Sequence, residues 1–126
     1  MINHVSIGVR DLAKAKRFYD AVLKPLGYAC QSESEGSLGY GSKAGIPFWV
    51  NTADHPVKAD LKSGLHFCFD AESRKAVDAF HAGGLKAGGK DNGQPGIREA
   101  YSPTYYAAFL VDPDGYRVEA YCSKKG

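Results

Sequence analysis

Apolar and polar residues alternate from Ile2 to Val9, with Val5, Ile7 and Val9 on one side and His4 and Ser6 on the other. A period of two predicts a half-buried strand. The period then lengthens: Leu12, Ala15, Tyr19, Val22 and Leu26 recur at three- and four-residue steps, the stripe of an amphipathic helix. Asp11 is placed to cap that helix, and Pro25 and Gly27 to stop it. Residues 28–34, 38–42 and 46–51 read as three short strands with glycine-rich turns between them. The polar stretch 52–63, which carries Pro56, reads as a linker.

The plan then repeats. Residues 65–70 form a strand, Ser73 caps a helix striped by Val77, Phe80 and Leu85, and residues 90–96 form a loop. Residues 97–101, 105–111 and 116–122 read as strands, with Asp112-Pro113-Asp114-Gly115 as a type I turn. Sliding the chain by 62 positions lays Asn3-His4-Val5 on Leu65-His66-Phe67, Phe18 on Phe80, Leu23 on Leu85 and Gly27 on Gly89. Such self-similarity sets the architecture. One domain, residues 1–126, divides into module one (1–51), linker (52–63) and module two (64–126). Each module is β-α-β-β-β, so the fold class is α+β: two paired modules forming a curved mixed sheet around a cavity.

The module ends add a second alignment, Gly45-Ile46-Pro47-Phe48-Trp49-Val50 on Gly115-Tyr116-Arg117-Val118-Glu119-Ala120. It makes Trp49 the counterpart of Glu119. Alternation puts Arg117, Glu119 and Tyr121 on one face and Val118 and Ala120 on the other. A carboxylate in the middle of a final strand is costly to bury unless it is paired or binds a cation. His4 and His66 occupy repeat-equivalent places, and with Glu119 they form a candidate metal set. Glu119 paired with Arg117 or His66 as a structural ion pair is the competing reading. His55 and His81 read as surface residues.

Composition narrows the function classes. The net charge is +2 and the basic residues are scattered, so no nucleic-acid footprint is expected. No apolar run approaches the ~20 residues that span a membrane. The three cysteines, Cys30, Cys68 and Cys122, lack metal spacing and read as reduced thiols, which fits a cytoplasmic protein. No nucleophile elbow and no phosphate-binding glycine loop occurs.

The motifs His4-Val5-Ser6-Ile7-Gly8-Val9, Asp11-Leu12, Phe18-Tyr19 and Leu26-Gly27 resemble the vicinal-oxygen-chelate superfamily. In module two His66-Phe67, Ala79-Phe80, Asp112-Pro113-Asp114-Gly115 and Val118-Glu119 carry the same resemblance. That group includes glyoxalases, extradiol dioxygenases and metal-free bleomycin-resistance proteins. The resemblance implies one divalent metal ion (Fe, Mn, Zn or Ni) held by His4, His66 and Glu119, with Trp49 standing where many glyoxalases have a fourth ligand. It implies a small-molecule metalloenzyme: a lyase or isomerase, a dioxygenase, or a thiol transferase. The alternative is a metal-free drug- or small-ligand-binding protein. Tyr105 and Tyr106 are the candidate catalytic side chains, and Trp49, Arg98, Tyr101 and Tyr121 the candidate pocket. The expected partners are a small-molecule substrate and a second copy in a homodimer, with no nucleic acid and no membrane.

Overall fold

Two β-α-β-β-β units form along the chain in this computed structural model, which describes residues 1–125. The first comprises β1 (Val5–Val9), α1 (Leu12–Leu23), β2 (Ala29–Ser34), β3 (Ser37–Ser42) and β4 (Gly45–Thr52). The second comprises β5 (His66–Asp70), α2 (Arg74–Lys86), β6 (Lys90–Ile97), β7 (Tyr106–Val111) and β8 (Arg117–Cys122). Each unit folds into its own four-stranded mixed sheet, in the orders β1-β4-β3-β2 and β5-β8-β7-β6. In each, the first strand runs parallel to the last and the other pairings are antiparallel.

The helices start where side chains satisfy orphan amides. Asp11 accepts from the Lys14 amide at 3.1 Å, and Ser73 from the Ala76 amide at 3.1 Å. Their apolar stripes, Ala15, Phe18, Tyr19, Val22 and Leu23 on α1 and Val77, Phe80 and Gly84 on α2, are buried. A single turn of 3-10 helix, Lys24–Leu26, closes α1, and Gly27 follows it at φ 89°, a backbone state that favours glycine. The helices pack against each other where Gly84 meets Val22 and Leu110. A Cβ on Gly84 would stand 3.0 Å from Val22 Cγ1 and overlap Leu110 Cδ1.

One core serves both units, since Phe18, Tyr40, Phe48 and Val50 cluster with Phe80, Leu110, Tyr116 and Val118. Polar bonds tie the units at the turn between β7 and β8. Tyr19 donates to Asp112 at 2.6 Å, Tyr116 donates to the Gly8 carbonyl at 2.7 Å, and the Arg10 amide donates to Asp114 at 3.0 Å. The connection from β4 to β5 contains a 3-10 turn, Leu61–Ser63, capped by Asp60.

The pairing registers repeat between units. Val5 pairs with Phe48 and Phe67 with Val118; Ser6 pairs with Trp49 and Cys68 with Glu119. Gly39 faces Trp49 as Phe109 faces Glu119. Trp49 and Glu119 therefore hold equivalent sheet positions. Both alignments survive, because the second unit carries a longer excursion between its second and third strands.

Three local expectations differ. Residues 90–96, expected as a loop, belong to β6, an edge strand with register shifts at Asp91/Gly93 and Gly93/Gly96. Pairing with β7 overrides the weak strand propensity of Gly and Pro, and Pro95 is tolerated at an edge. Residues 98–101 leave the sheet as a turn instead of a strand; the Tyr101 amide donates to the Arg98 carbonyl at 3.0 Å. His81 is buried at 4% exposure, not on the surface, and its Nε2 lies 2.8 Å from Asp91 Oδ1. A helix residue next to Phe80 is carried inside when β6 packs across α2.

Candidate functional site

Alternation gives each sheet two unlike faces. Ile7, Val9, Phe48, Val50, Val118, Ala120 and Cys122 turn to the core. Ser6, Trp49, Cys68 and Glu119 are register partners on the opposite, open faces. On the open face of the second sheet, His66 Nε2 lies 2.7 Å from Glu119 Oε1, and the Tyr105 hydroxyl donates to Glu119 Oε2 at 2.6 Å. Glu119 is 4% exposed, so these two bonds offset much of the cost of burying its charge. An ionised carboxylate only accepts, which requires the proton to sit on His66 Nε2.

Tyr105 packs against Tyr121 with centroids 4.2 Å apart and against Tyr101 at 4.9 Å, its ring tilted to both. Burial first, then the Glu119 bond, holds the Tyr105 phenol well above the ordinary tyrosine range. It stays protonated and acts as a donor. Cys68 lies beside the pair, where desolvation and then the Glu119 charge push its thiol up to about 12. At neutral pH it is a thiol, a poor nucleophile.

A pocket of about 380 Å³ opens over this cluster, with His66, Glu119, Tyr105, Tyr101, Phe109 and Arg117 in its lining. All of its walls come from residue 61 onward. Arg117 pairs with His66 in register. Its Nη1 donates to the Gly115 carbonyl at 2.9 Å, while its buried Nε has no hydrogen-bond partner among the described residues. An unpaired buried donor costs about 1–3 kcal/mol. From the sequence, Arg117 is expected only as a possible partner for Glu119. Its alternation with Val118 and its repeat relation to Pro47 were the available signals, and neither reveals an orphaned nitrogen.

The other expected residues lie elsewhere. His4 is exposed just ahead of β1, its Nδ1 2.7 Å from Asn3 Oδ1, and β1 and β5 are edge strands of separate sheets. Among the described residues no three His, Cys, Asp or Glu side chains gather closely enough to hold a metal ion. His66 and Glu119 are joined directly, whereas His4 shares with His66 only the lining of the crevice between the units. Trp49 sits on the open face of the first sheet, its ring against Gly39, where a Cβ would come within 2.7 Å of the indole. Arg98 turns its donors on its own loop, to the Gly96 carbonyl at 2.9 Å and the Gln94 carbonyl at 2.7 Å, with its guanidinium 5.2 Å from the Phe109 centroid. The Tyr106 hydroxyl donates to Asp78 on α2 at 2.6 Å, away from Glu119.

A second crevice of about 390 Å³ separates the units, lined by His4, Val5, Phe48, His66 and Phe69 among others. His66 thus touches both cavities from the edge of its sheet. No helix among the described residues is long and apolar enough to cross a membrane. The three cysteines are free thiols.

The architecture recurs in solved structures. A glyoxalase/bleomycin resistance protein from Albidiferax ferrireducens T118 is 36% identical, covers 94% of this chain and 96% of its own, and superposes with a TM-score of 0.83. A putative glyoxalase from Bacillus halodurans is 26% identical over 96% of this chain and 94% of its own, at a TM-score of 0.73. A glyoxalase-related enzyme from Fulvimarina pelagi, at 16% identity, shares the fold over 96% of this chain and 86% of its own with a TM-score of 0.72. No protein of curated function matches the sequence. The family model for the Glyoxalase/Bleomycin resistance protein/Dioxygenase superfamily matches residues 1–120. With the doubled β-α-β-β-β unit, the shared registers and that match across nearly the whole length, the chain belongs to the glyoxalase/bleomycin resistance protein/dioxygenase superfamily.

Proposed function

We propose that this chain is a cytoplasmic small-molecule metalloenzyme of the glyoxalase/dioxygenase type, built as a symmetric homodimer. In this reading His66 and Glu119 of one copy and His4 of the other hold one divalent ion, Fe, Mn, Zn or Ni. The observation that carries it is the His66–Glu119 pair, an imidazole and a carboxylate joined at 2.7 Å beneath a pocket walled by module two and by Leu61 of the preceding connection. That donor pair suits a divalent cation, but two protein ligands fall short of the usual three of a catalytic site. His4 is exposed and bonded only to its sequence neighbour, which leaves it available to a second copy. Twofold pairing is the commonest closed assembly, and it would set the open face bearing His4 and Trp49 across from the open face bearing Glu119.

When bound, the ion supplies Lewis-acid polarisation of substrate oxygens. The chain's own residues do the rest. Tyr105 fixes the Glu119 carboxylate through a 2.6 Å bond and remains protonated, so it orients and does not abstract protons. Tyr101, Tyr105 and Phe109 give the pocket an aromatic wall, and Tyr121, outside the lining, packs behind Tyr105. Trp49, in place of a ligand, supplies apolar surface where a further donor would close the site.

Subunit mixing tests the reading. Metal content by elemental analysis should be about one ion per chain in the native dimer, as one complete ligand set per chain requires. It should fall sharply in His4→Ala and in His66→Ala. Refolding the two variants together should restore one intact site per mixed dimer. Failure of the mixture to regain metal would place the ligand set within one chain. A native dimer that takes up no divalent ion would overturn the metalloenzyme reading in favour of a ligand-binding protein.

A further inference from the structure

Arg117 is the one Lys or Arg among the described residues that line the module-two pocket, and its donors are only partly used. Among the described residues it forms no ion pair: Arg10, Lys16, Lys58, His66, His81 and Lys124 take those. Its Nη1 is committed to the Gly115 carbonyl, and its Nε is buried without a partner among the described residues. A guanidinium grips a carboxylate through two parallel N–H bonds, and the edge built on Nε is one such fork. Arg98, the other arginine near Phe109, is closed by contrast, since the Gly96 and Gln94 carbonyls occupy both of its terminal nitrogens.

Placement makes Arg117 useful to the His66–Glu119 pair. Arg117 is the register partner of His66 on the neighbouring strand, and Glu119 is two residues along the same strand on the same face. Neighbouring strands lie about 5 Å apart, and two residues of strand advance roughly 7 Å. That interval matches the distance from a carboxylate to the far side of a small ring. Between them the pocket is aromatic and aliphatic, with Tyr101, Tyr105, Phe109, Leu61 and Leu65 in its lining. The Glu119 oxygens, which would repel an anion, are covered by His66 and Tyr105.

We propose that Arg117 anchors the ligand of this pocket and that the ligand is a small carboxylate with a planar apolar body. The inference rests on reading the open face around His66 and Glu119 as a ligand site. It does not depend on a metal being bound. Benzoate and benzamide differ in charge and hardly in shape, so they serve as paired probes. Titration calorimetry on the full chain, in EDTA so that the benzoate carboxylate cannot bind a metal, should show benzoate at least about tenfold tighter, the scale of a bidentate charged contact. Arg117→Met should abolish the preference, Arg117→Lys should retain part of it, and Arg98→Met should leave it intact. Circular dichroism checks the fold of each variant. Equal affinity for the two probes, no benzoate binding at millimolar concentration, or a preference that survives Arg117→Met or is lost in Arg98→Met would each overturn the assignment. Metal content measured on the same preparations keeps its failure separate from failure of the metalloenzyme reading.

Discussion

Replacing Tyr19 with Phe removes one oxygen atom and cuts the buried link between the two units. The Tyr19 hydroxyl donates to Asp112 Oδ2 at 2.6 Å, and both residues are buried. Asp112 Oδ1 still accepts from the amides of Asp114 and Tyr116, each at 2.8 Å, so the turn keeps its shape in the variant. The ring remains and the lost volume is small, which leaves the hydrogen bond as the main term. A bond to a charged group is worth about 1.5–3 kcal/mol, and here the acceptor loses it inside the protein. We expect a loss near 2 kcal/mol at pH 7.5, or a fall in Tm of roughly 8 °C for a chain of this size.

The pH dependence sharpens this expectation. Burial raises the Asp112 carboxyl above its ordinary value, against the Tyr19 bond and the two amides, which lower it. Removing Tyr19 raises it further. The native variant then holds its proton to higher pH than the native wild type does. The difference in stability therefore grows as pH rises through that window and is smallest below it, where both carboxyls are protonated. Urea melts of the two proteins at several pH values between 4 and 7.5 would measure it. A loss below about 0.5 kcal/mol at pH 7.5, or one that is the same at every pH, would refute the claim that a charged buried acceptor joins the units.

Two further outcomes are expected beyond those of the metal and ligand tests. Gly41→Ala should cost about 1–3 kcal/mol by thermal melting, because its Cβ would overlap the Gly45 carbonyl oxygen, a backbone atom that cannot rotate away; a neutral result would show that the β3–β4 hairpin relaxes freely. The Asp91 carboxyl is held low first by the His81 bond and then by the Gly93 amide. Its share of stability is thus present above the ordinary carboxylate value and lost as pH falls through its own lower one. In His81→Leu, NMR titration should find Asp91 moved up towards about 3.9, and an unmoved titration would mean that the His81 bond contributes nothing.

Local pattern was enough to read much of this fold. Alternation at Val5, Ile7 and Val9 and the stripe from Ala15 to Leu23 depend on which face is buried, and that preference is written at intervals of two and of three to four residues. Asp11 and Ser73 announce their helices because a cap bonds an amide three residues away. The internal repeat carried the equivalence of Trp49 and Glu119 for the same reason, since register within a unit follows from alternation and turn geometry. It also brought out the kinship with a superfamily whose model spans residues 1–120.

Other features are set by atoms distant in sequence. β6 is a strand only because β7 offers it partners, despite its glycines and Pro95. His81 is inside because β6 lies across α2, and Arg98 is closed by carbonyls of a loop whose path no local pattern specifies. Repeat symmetry made His4 and His66 look like neighbours, yet equivalence of position within a unit says nothing about how the units are set against each other. Side-chain packing around Gly84 and the bonds from Tyr19 and Tyr116 decide that, and they put His4 and His66 on one crevice while only His66 meets Glu119. The same packing buries Arg117 Nε without a partner among the described residues. A sequence lists donors and acceptors, but only the three-dimensional arrangement determines which of them are left unpaired.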